Sequence, residues 1–405
     1  MKNCIVAQSG GPTAAINASL LGVIKAVLSS DQFDHIYGAI NGIEGILNHN
    51  ILDLGSVFQQ PYQQSLLKQT PSSYLGSCRF KLPDFHQSDD LYKAIFSFLK
   101  EKEIACFFYI GGNDSMDTVD KLSQYASENH INVQVIGIPK TIDNDLPGTD
   151  HTPGFGSAAK YIASTVKEIG CDSSVYDLKS VTIVEIMGRN AGWLTASSAL
   201  ARNESFFAPH LIYLPEVPFN INVFLKQVEQ KVSLYSNIVV CVSEGIRDEN
   251  QSYICESASS GLTDTFGHKC LSGTNKVLET LVRQHLGYKA RGIELNVCQR
   301  CASHIASLTD LEEAENIGAQ AVKFAAQGLT GKMLSFRRIS EDPYQVQIEA
   351  IDINLAANLE KTVPIEWITP DHCDVTPELI QYCKPLIQGE PVIFMKDGLA
   401  IHMIR

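Results

Sequence analysis

The residues most able to do chemistry lie in Pro139-Lys140-Thr141-Ile142-Asp143-Asn144-Asp145-Leu146-Pro147-Gly148, where two carboxylates stand two positions apart beside a lysine. Like charges held close raise one carboxylate's pKa, and the pair then titrates as a unit. A general base for an alcohol needs that kind of environment. The same cluster could handle a metal ion. Asp-Asn-Asp is equally good turn chemistry, so a solvated turn stays open on these residues alone.

Other segments share the character of this loop. Gly10-Gly11-Pro12-Thr13 leads into a helical pattern, and Gly111-Gly112-Asn113-Asp114-Ser115 does the same. Glycines let backbone amides approach a ligand, and a helix amino terminus favours an anion. Neither segment has the spacing of a Walker loop or a dinucleotide fingerprint. A plain turn and an Asx-type cap are the plainer readings. Met187-Gly188-Arg189 carries an arginine that could meet a phosphoryl group in transfer. Further cations follow at Tyr288-Lys289-Ala290-Arg291 and Gln299-Arg300, and Arg79 sits upstream in Leu75-Gly76-Ser77-Cys78-Arg79. Cys298-x-x-Cys301 with His304 lacks the second pair that a zinc site usually shows.

Each of the principal loops follows an apolar run. Cys4-Ile5-Val6-Ala7, Cys106 to Ile110, Val133 to Ile138, Val181 to Ile186 and Asn237 to Val242 are continuous rather than alternating. That pattern predicts strands buried on both faces, hence parallel sheets covered by helices. Strand–helix alternation over about 300 residues predicts two doubly wound units of α/β class. In such sheets ligands bind beyond the carboxyl ends of the strands, where these loops fall. The expected division is 1–139, 140–310, and 311–405 returning to the first domain.

The 405 residues carry a net charge of −13, with 44% hydrophobic and 19% charged residues. This excludes a disordered chain and argues against a nucleic-acid partner, which calls for a basic face. No stretch approaches the roughly 20 apolar residues of a membrane helix. The first residues run almost directly into a strand pattern, leaving no room for a signal peptide. Several of the eleven cysteines sit in apolar runs, as reduced core thiols do. The expected compartment is the cytoplasm. For an acidic protein to take a phosphate-bearing substrate, Arg79, Lys140, Arg189, Arg291 and Arg300 must concentrate locally.

The ordered set Gly10-Gly11, Gly76 to Arg79, Gly111 to Ser115, Thr141 to Asp145, Met187-Gly188-Arg189, Glu244-Gly245, Arg291 and Gln299-Arg300 resembles the phosphofructokinases. The likeness runs in order to about residue 302. It implies two doubly wound domains with the active site in the cleft between them: a phosphoryl-donor domain (1–139) and a fructose 6-phosphate domain (140–310). It implies that Asp143 takes the proton from the C1 hydroxyl of fructose 6-phosphate, with Asp145 as its partner near Mg2+. Thr141, Met187 and Gly188 would contact the sugar phosphate and Glu244 its hydroxyls. Arg189 would stabilise the phosphoryl group in flight. Tyr288, Arg291 and Arg300 would hold the 6-phosphate, Arg291 reaching in from a neighbouring subunit of a homodimer or homotetramer. Gly11 and Arg79 would flank the donor.

The resemblance also bears on the donor. Members that use ATP have glycine where this chain has Asp114, and again where it has Lys140. A carboxylate in the first place obstructs a nucleotide, and an ammonium in the second neutralises pyrophosphate. Both point to the pyrophosphate-dependent branch, with Asp114 and Asp145 as the expected metal ligands. Three departures stand out: Asn113 replaces a usual aspartate, Val297 a histidine that contacts the 6-phosphate, and Ser180 an arginine. An ATP-dependent enzyme and a silent sugar-phosphate-binding subunit are the competing expectations.

Overall fold

The structure, a computed structural model, describes residues 2–175, 177–257 and 273–405. Eleven strands among them build the two main sheets. In chain order these are β1 Lys2–Gln8, β2 Phe33–Ala39, β3 Ile51–Asp53, β4 Ile104–Gly111, β5 Gln134–Pro139 and β6 Ser180–Ile186. There follow β7 Leu211–Tyr213, β8 Asn237–Ser243, β9 Lys289–Glu294, β10 Lys332–Glu341 and β11 Tyr344–Asp352. The chain divides into two compact units: Met1–Ser157 with Arg300–Glu360 and Gln388–Arg405, and Ala158–Gln299 with Lys361–Ile387.

The first unit holds a seven-stranded sheet in the order β11-β10-β5-β4-β1-β2-β3. The five central strands are parallel, while β3 and β11 pair antiparallel at the two edges. The continuous apolar runs have the expected cause, since every residue of β4 is buried. In β1, Cys4 and Val6 enter one core, with the helices Ile16–Leu28 and Leu308–Ala326. Ile5 and Ala7 enter another, with Asp89–Glu101 and Asn113–Glu128. One strand therefore feeds both faces, as double winding requires.

The second unit holds a four-stranded sheet, β7-β8-β6-β9, parallel throughout. Its core gathers Val181, Ile183, Val240, Val242, Phe224 and Leu278. Among the described residues no helix is long and apolar enough to cross a membrane.

The division of the chain departs from the expected edges in three places, one of them the return to the first unit at Arg300 rather than after residue 310. Residues 140–157 stay with the first unit because they are stitched to it: Thr141 bridges Gly154, and the Asp150 amide donates to the Phe336 carbonyl at 2.8 Å. Residues 361–387 join the second unit rather than the first. There the Ile212 amide donates to the Cys373 carbonyl, and Arg202 pairs with Asp374 at 2.8 Å.

Candidate active site

In the first unit the loops after β1, β4 and β5 lie side by side, because β4 pairs with both β1 and β5. After β1, Gly10 has φ +75° and its carbonyl accepts from Ser77 Oγ at 2.6 Å. The Gly76–Arg79 segment is thereby pinned to the β1 loop, with the Arg79 side chain at the surface. Buried Gln8 completes the tie, donating to Asn17 Oδ1 and accepting from the Leu75 amide.

Lys140 follows β5. It is only 2% exposed, and its Nζ donates to the Gly11 carbonyl at 2.7 Å. Burial lowers its pKa from 10.5 to about 8; Asp143 and Asp145 pull the other way and Arg300 adds to the depression. The structure therefore brings Gly11, Lys140, Asp143, Asp145 and Arg300 into one electrostatic cluster. A side chain at Gly11 would meet Arg300 Nη1 at 3.8 Å.

The carboxylate loop is shaped by its own residues. Asn144 is buried with φ +55°, a left-handed conformation that asparagine tolerates. Ile142, Asn144 and Leu146 are buried while Asp143 and Asp145 between them stay partly exposed. Thr141 Oγ1 accepts from the Asp143 amide at 3.1 Å and donates to its carboxylate at 3.4 Å.

After β4, the helix Asn113–Glu128 begins without a side-chain cap, and the Ser115 and Met116 amides both donate to the Gly112 carbonyl at 3.0 Å. Asp114 stands exposed in its first turn. Asn113 turns the other way, its Nδ2 donating to Asp145 Oδ2 at 3.1 Å. Its Oδ1 is buried without a hydrogen-bond partner. The sequence marked Asn113 only as a departure; its side-chain direction comes from the three-dimensional path of two separate loops.

In the second unit the ends of β6 and β8 carry Met187, Gly188, Arg189 and Glu244. Gly188 has φ +131°, its amide approaches Glu244 Oε1 at 3.5 Å, and its carbonyl accepts from Ser243 Oγ at 2.6 Å. The Met187 amide donates to Gln299 Oε1 at 3.2 Å. Gly245 lies so close to Arg189 that a Cβ there would come 1.9 Å from the Arg189 carbonyl oxygen. The Gly192 amide donates to Glu216 Oε1 at 2.7 Å, closing the loop from the other side. Ser77 and Gln299 lie inside quoted motifs but had no role assigned to them; Glu216 carries no motif signal, and its contact alone reveals it.

Tyr288 and Arg291 are not with this group. Arg291 pairs in register with Thr182, four residues upstream of the end of β6, or about 13 Å at roughly 3.3 Å per residue. Its side chain is 62% exposed and lies 3.8 Å from Asp172. Tyr288 immediately precedes β9, and the Lys179 ammonium lies 5.6 Å from its ring centre.

Glycine loops at the carboxyl ends of parallel strands, a lysine buried against one of them and a paired-carboxylate turn define an α/β protein that handles phosphate groups. The sequence pattern of the phosphofructokinase family matches residues 3–325, and the chain belongs to that family. It is 39% identical over 400 residues to a pyrophosphate–fructose 6-phosphate 1-phosphotransferase of Halomonas elongata, covering 98% of this chain and 94% of the relative. A Methylococcus capsulatus protein of the same name is 39% identical over 392 residues, covering 96% and 92%. A crystal structure of the pyrophosphate-dependent phosphofructokinase from Nitrosospira multiformis superimposes with a TM-score of 0.88 at 37% identity, covering 99% of this chain and 96% of that one.

Proposed function

We propose that this chain transfers a phosphoryl group reversibly from pyrophosphate to the C1 hydroxyl of fructose 6-phosphate, giving fructose 1,6-bisphosphate and phosphate. The bridging P–O bond of pyrophosphate breaks, a bond from the sugar O1 to phosphorus forms, and Asp143 receives the hydroxyl proton. The observation that carries this reading is Lys140. Its ammonium is buried against the Gly11 carbonyl, filling space beside the donor loop with charge that suits a compact polyanion. Asp114, exposed at the start of its helix, repels the longer phosphate chain and sugar of a nucleotide.

Arg189 neutralises charge on the group in transfer, the role a positioned guanidinium serves in phosphoryl transfer. Thr141, Met187, Gly188 and Glu244 hold the sugar phosphate. Arg300 takes its 6-phosphate, and the distance of Tyr288 and Arg291 from the Met187–Glu244 group favours their serving the 6-phosphate of a neighbouring copy in a homo-oligomer. Gly11 and Arg79 flank the donor.

A magnesium ion fits the oxygens present. Asn113 Oδ1 is a buried acceptor without a partner and its amide nitrogen touches Asp145. Among the described residues no group of three or more His, Cys, Asp or Glu is arranged for a metal. Magnesium needs none, since it keeps waters and uses one or two protein oxygens beside substrate phosphates. Asp145 and Asn113 would hold it, with Asp114 at the rim, and when bound it would supply charge neutralisation to the donor. The whole reaction is placed in the cytoplasm.

The test is a comparison of donors with the purified chain, fructose 6-phosphate and magnesium. Product with pyrophosphate and at least 100-fold lower kcat/KM with ATP is the expected result. Preference for ATP would overturn the reading of Asp114 and Lys140, and no transfer with either donor would favour a silent sugar-phosphate-binding subunit.

A further inference from the structure

The segment from Thr149 to Gly154 runs back from the carboxylate loop and pairs with it. The Thr141 amide donates to the Pro153 carbonyl at 3.2 Å, and Thr152 Oγ1 donates to the Thr141 carbonyl at 2.8 Å. Thr141 is thus gripped at both backbone groups, and its hydroxyl in turn fixes the Asp143 amide. The placement of Asp143 therefore depends on what holds the return segment.

That segment is anchored by an ion cluster built around His151, which is 2% exposed. The imidazole stacks on Phe336 of β10, with ring centres 4.7 Å apart and an interplanar angle of 8°. Nδ1 lies 2.8 Å from Asp150 Oδ2, and Nε2 lies 2.8 Å from Glu313 Oε2 of the helix Leu308–Ala326. A neutral imidazole has one N–H and could donate to only one of these carboxylates; the imidazolium donates to both. Every neighbouring element contributes a group. From β10, Arg338 Nη2 donates to Asp150 at 2.9 Å; from β11, the Tyr344 hydroxyl donates to Glu313 Oε1 at 2.8 Å. From the helix, Asp310 accepts from the Gly154 amide at 2.8 Å and the Ser157 amide at 3.0 Å. Burial opposes the charge on His151, yet Glu313 and Asp150 outweigh it and raise its pKa from 6.5 to about 9.

We propose that His151 is a positioning residue for phosphoryl transfer: its buried imidazolium, clamped between Asp150 and Glu313, fixes the return segment that holds Thr141 and Asp143 in register. Removing the charge leaves Glu313 without its cation while Asp150 keeps Arg338, loosens residues 149–154 and displaces Asp143 from the sugar hydroxyl. Misplacement of a reacting group by about 1 Å costs on the order of 100-fold.

The proposal rests on the reading of Asp143 as the base, and the two can fail separately. In the full chain, His151→Gln is expected to lower kcat at least tenfold with both KM values changed less than threefold. Amide hydrogen exchange over residues 140–146 should quicken at least tenfold. Adding Glu313→Gln, which replaces the facing charge by an amide, should restore kcat at least threefold. Arg337→Gln, on the same strand but in an exposed pair with Glu349, should change neither readout. Should His151→Gln fail to fold, Glu313→Gln alone gives the same exchange readout with one carboxylate still paired. Unchanged exchange over 140–146 in a folded variant, or quickened exchange with kcat within twofold of the starting protein, overturns the anchor. Failure of the Asp143 reading shows instead as normal turnover by Asp143→Ser.

Discussion

Lys140 Nζ donates to the Gly11 carbonyl at 2.7 Å from a site only 2% exposed, so a cation is buried beside the loop proposed to take the phosphoryl donor. Burial pushes its pKa down to about 8, despite the opposing pull of Asp143 and Asp145. The ammonium is therefore present at pH 7 and is lost as the pH rises through 8. For the free protein the stability effect has the opposite sign: the buried charge is a burden, so this contribution is full above the ordinary value of 10.5 and is lost as the pH falls toward 8. For catalysis, kcat/KM for pyrophosphate should fall about tenfold per pH unit above 8. A Lys140→Arg variant, charged throughout, should move that limb beyond pH 10. A profile flat to pH 9.5 in the unaltered protein would remove Lys140 from donor binding.

Asp143 is held by the Thr141 hydroxyl and, like Asp145 two positions on, is partly exposed. Replacing it with serine removes the base but keeps a small polar side chain. Turnover should fall on the order of 100- to 10,000-fold. KM for fructose 6-phosphate should change little, because the lost interaction belongs to the transition state. Steady-state kinetics with saturating pyrophosphate checks both, and near-normal kcat would reassign the base.

The parallel sheets were legible because continuous apolar runs have few other uses in a chain of this composition. In β4 the run Cys106 to Ile110 is buried throughout, as the pattern requires. The chemistry-bearing loops were legible for a related reason, since glycine and aspartate after a buried strand are positions where the fold itself asks for neither bulk nor charge. Other features leave no local trace. The antiparallel edges β3 and β11 pair with the strands that directly precede them, but β3 is only three residues long and β11 alternates in burial, so neither shows a continuous apolar run. The return of residues 361–387 to the second unit rests on contacts such as Arg202 with Asp374, which no periodicity encodes. His151 reads in sequence as one polar residue among several in a turn; only the folding of Glu313 and Phe336 around it reveals an ion cluster.

Gly245 gives a steric test of the Arg189 loop. An added Cβ would stand 1.9 Å from the Arg189 carbonyl oxygen, and backbone cannot yield as a side-chain tip can. Gly245→Ala must therefore shift the Met187–Arg189 turn or the Ser243–Gly245 turn that faces it. Overpacking of this kind costs about 1–3 kcal/mol, which a thermal melt would register. A displaced guanidinium should lower kcat by at least 30-fold, more than the stability loss alone would cause at 25 °C. A melting shift with unchanged kcat would separate Arg189 from the reaction.

Asn113 tests the metal site. Its buried Oδ1 has no hydrogen-bond partner, while its Nδ2 is committed to Asp145. A buried acceptor left unmatched costs about 1–3 kcal/mol, and a hard cation arriving with the donor would satisfy it. Asn113→Leu removes that oxygen and frees Asp145 from the amide, so the magnesium concentration giving half-maximal rate should rise about tenfold or more. Asn113→Asp restores an oxygen and adds a charge, and should lower that concentration below the value of the unaltered protein. Because both substitutions lie on the first turn of the same helix, a purely structural disturbance would move the two variants in the same direction. Opposite shifts in a magnesium titration are what ligation by this side chain requires, and parallel shifts would exclude it.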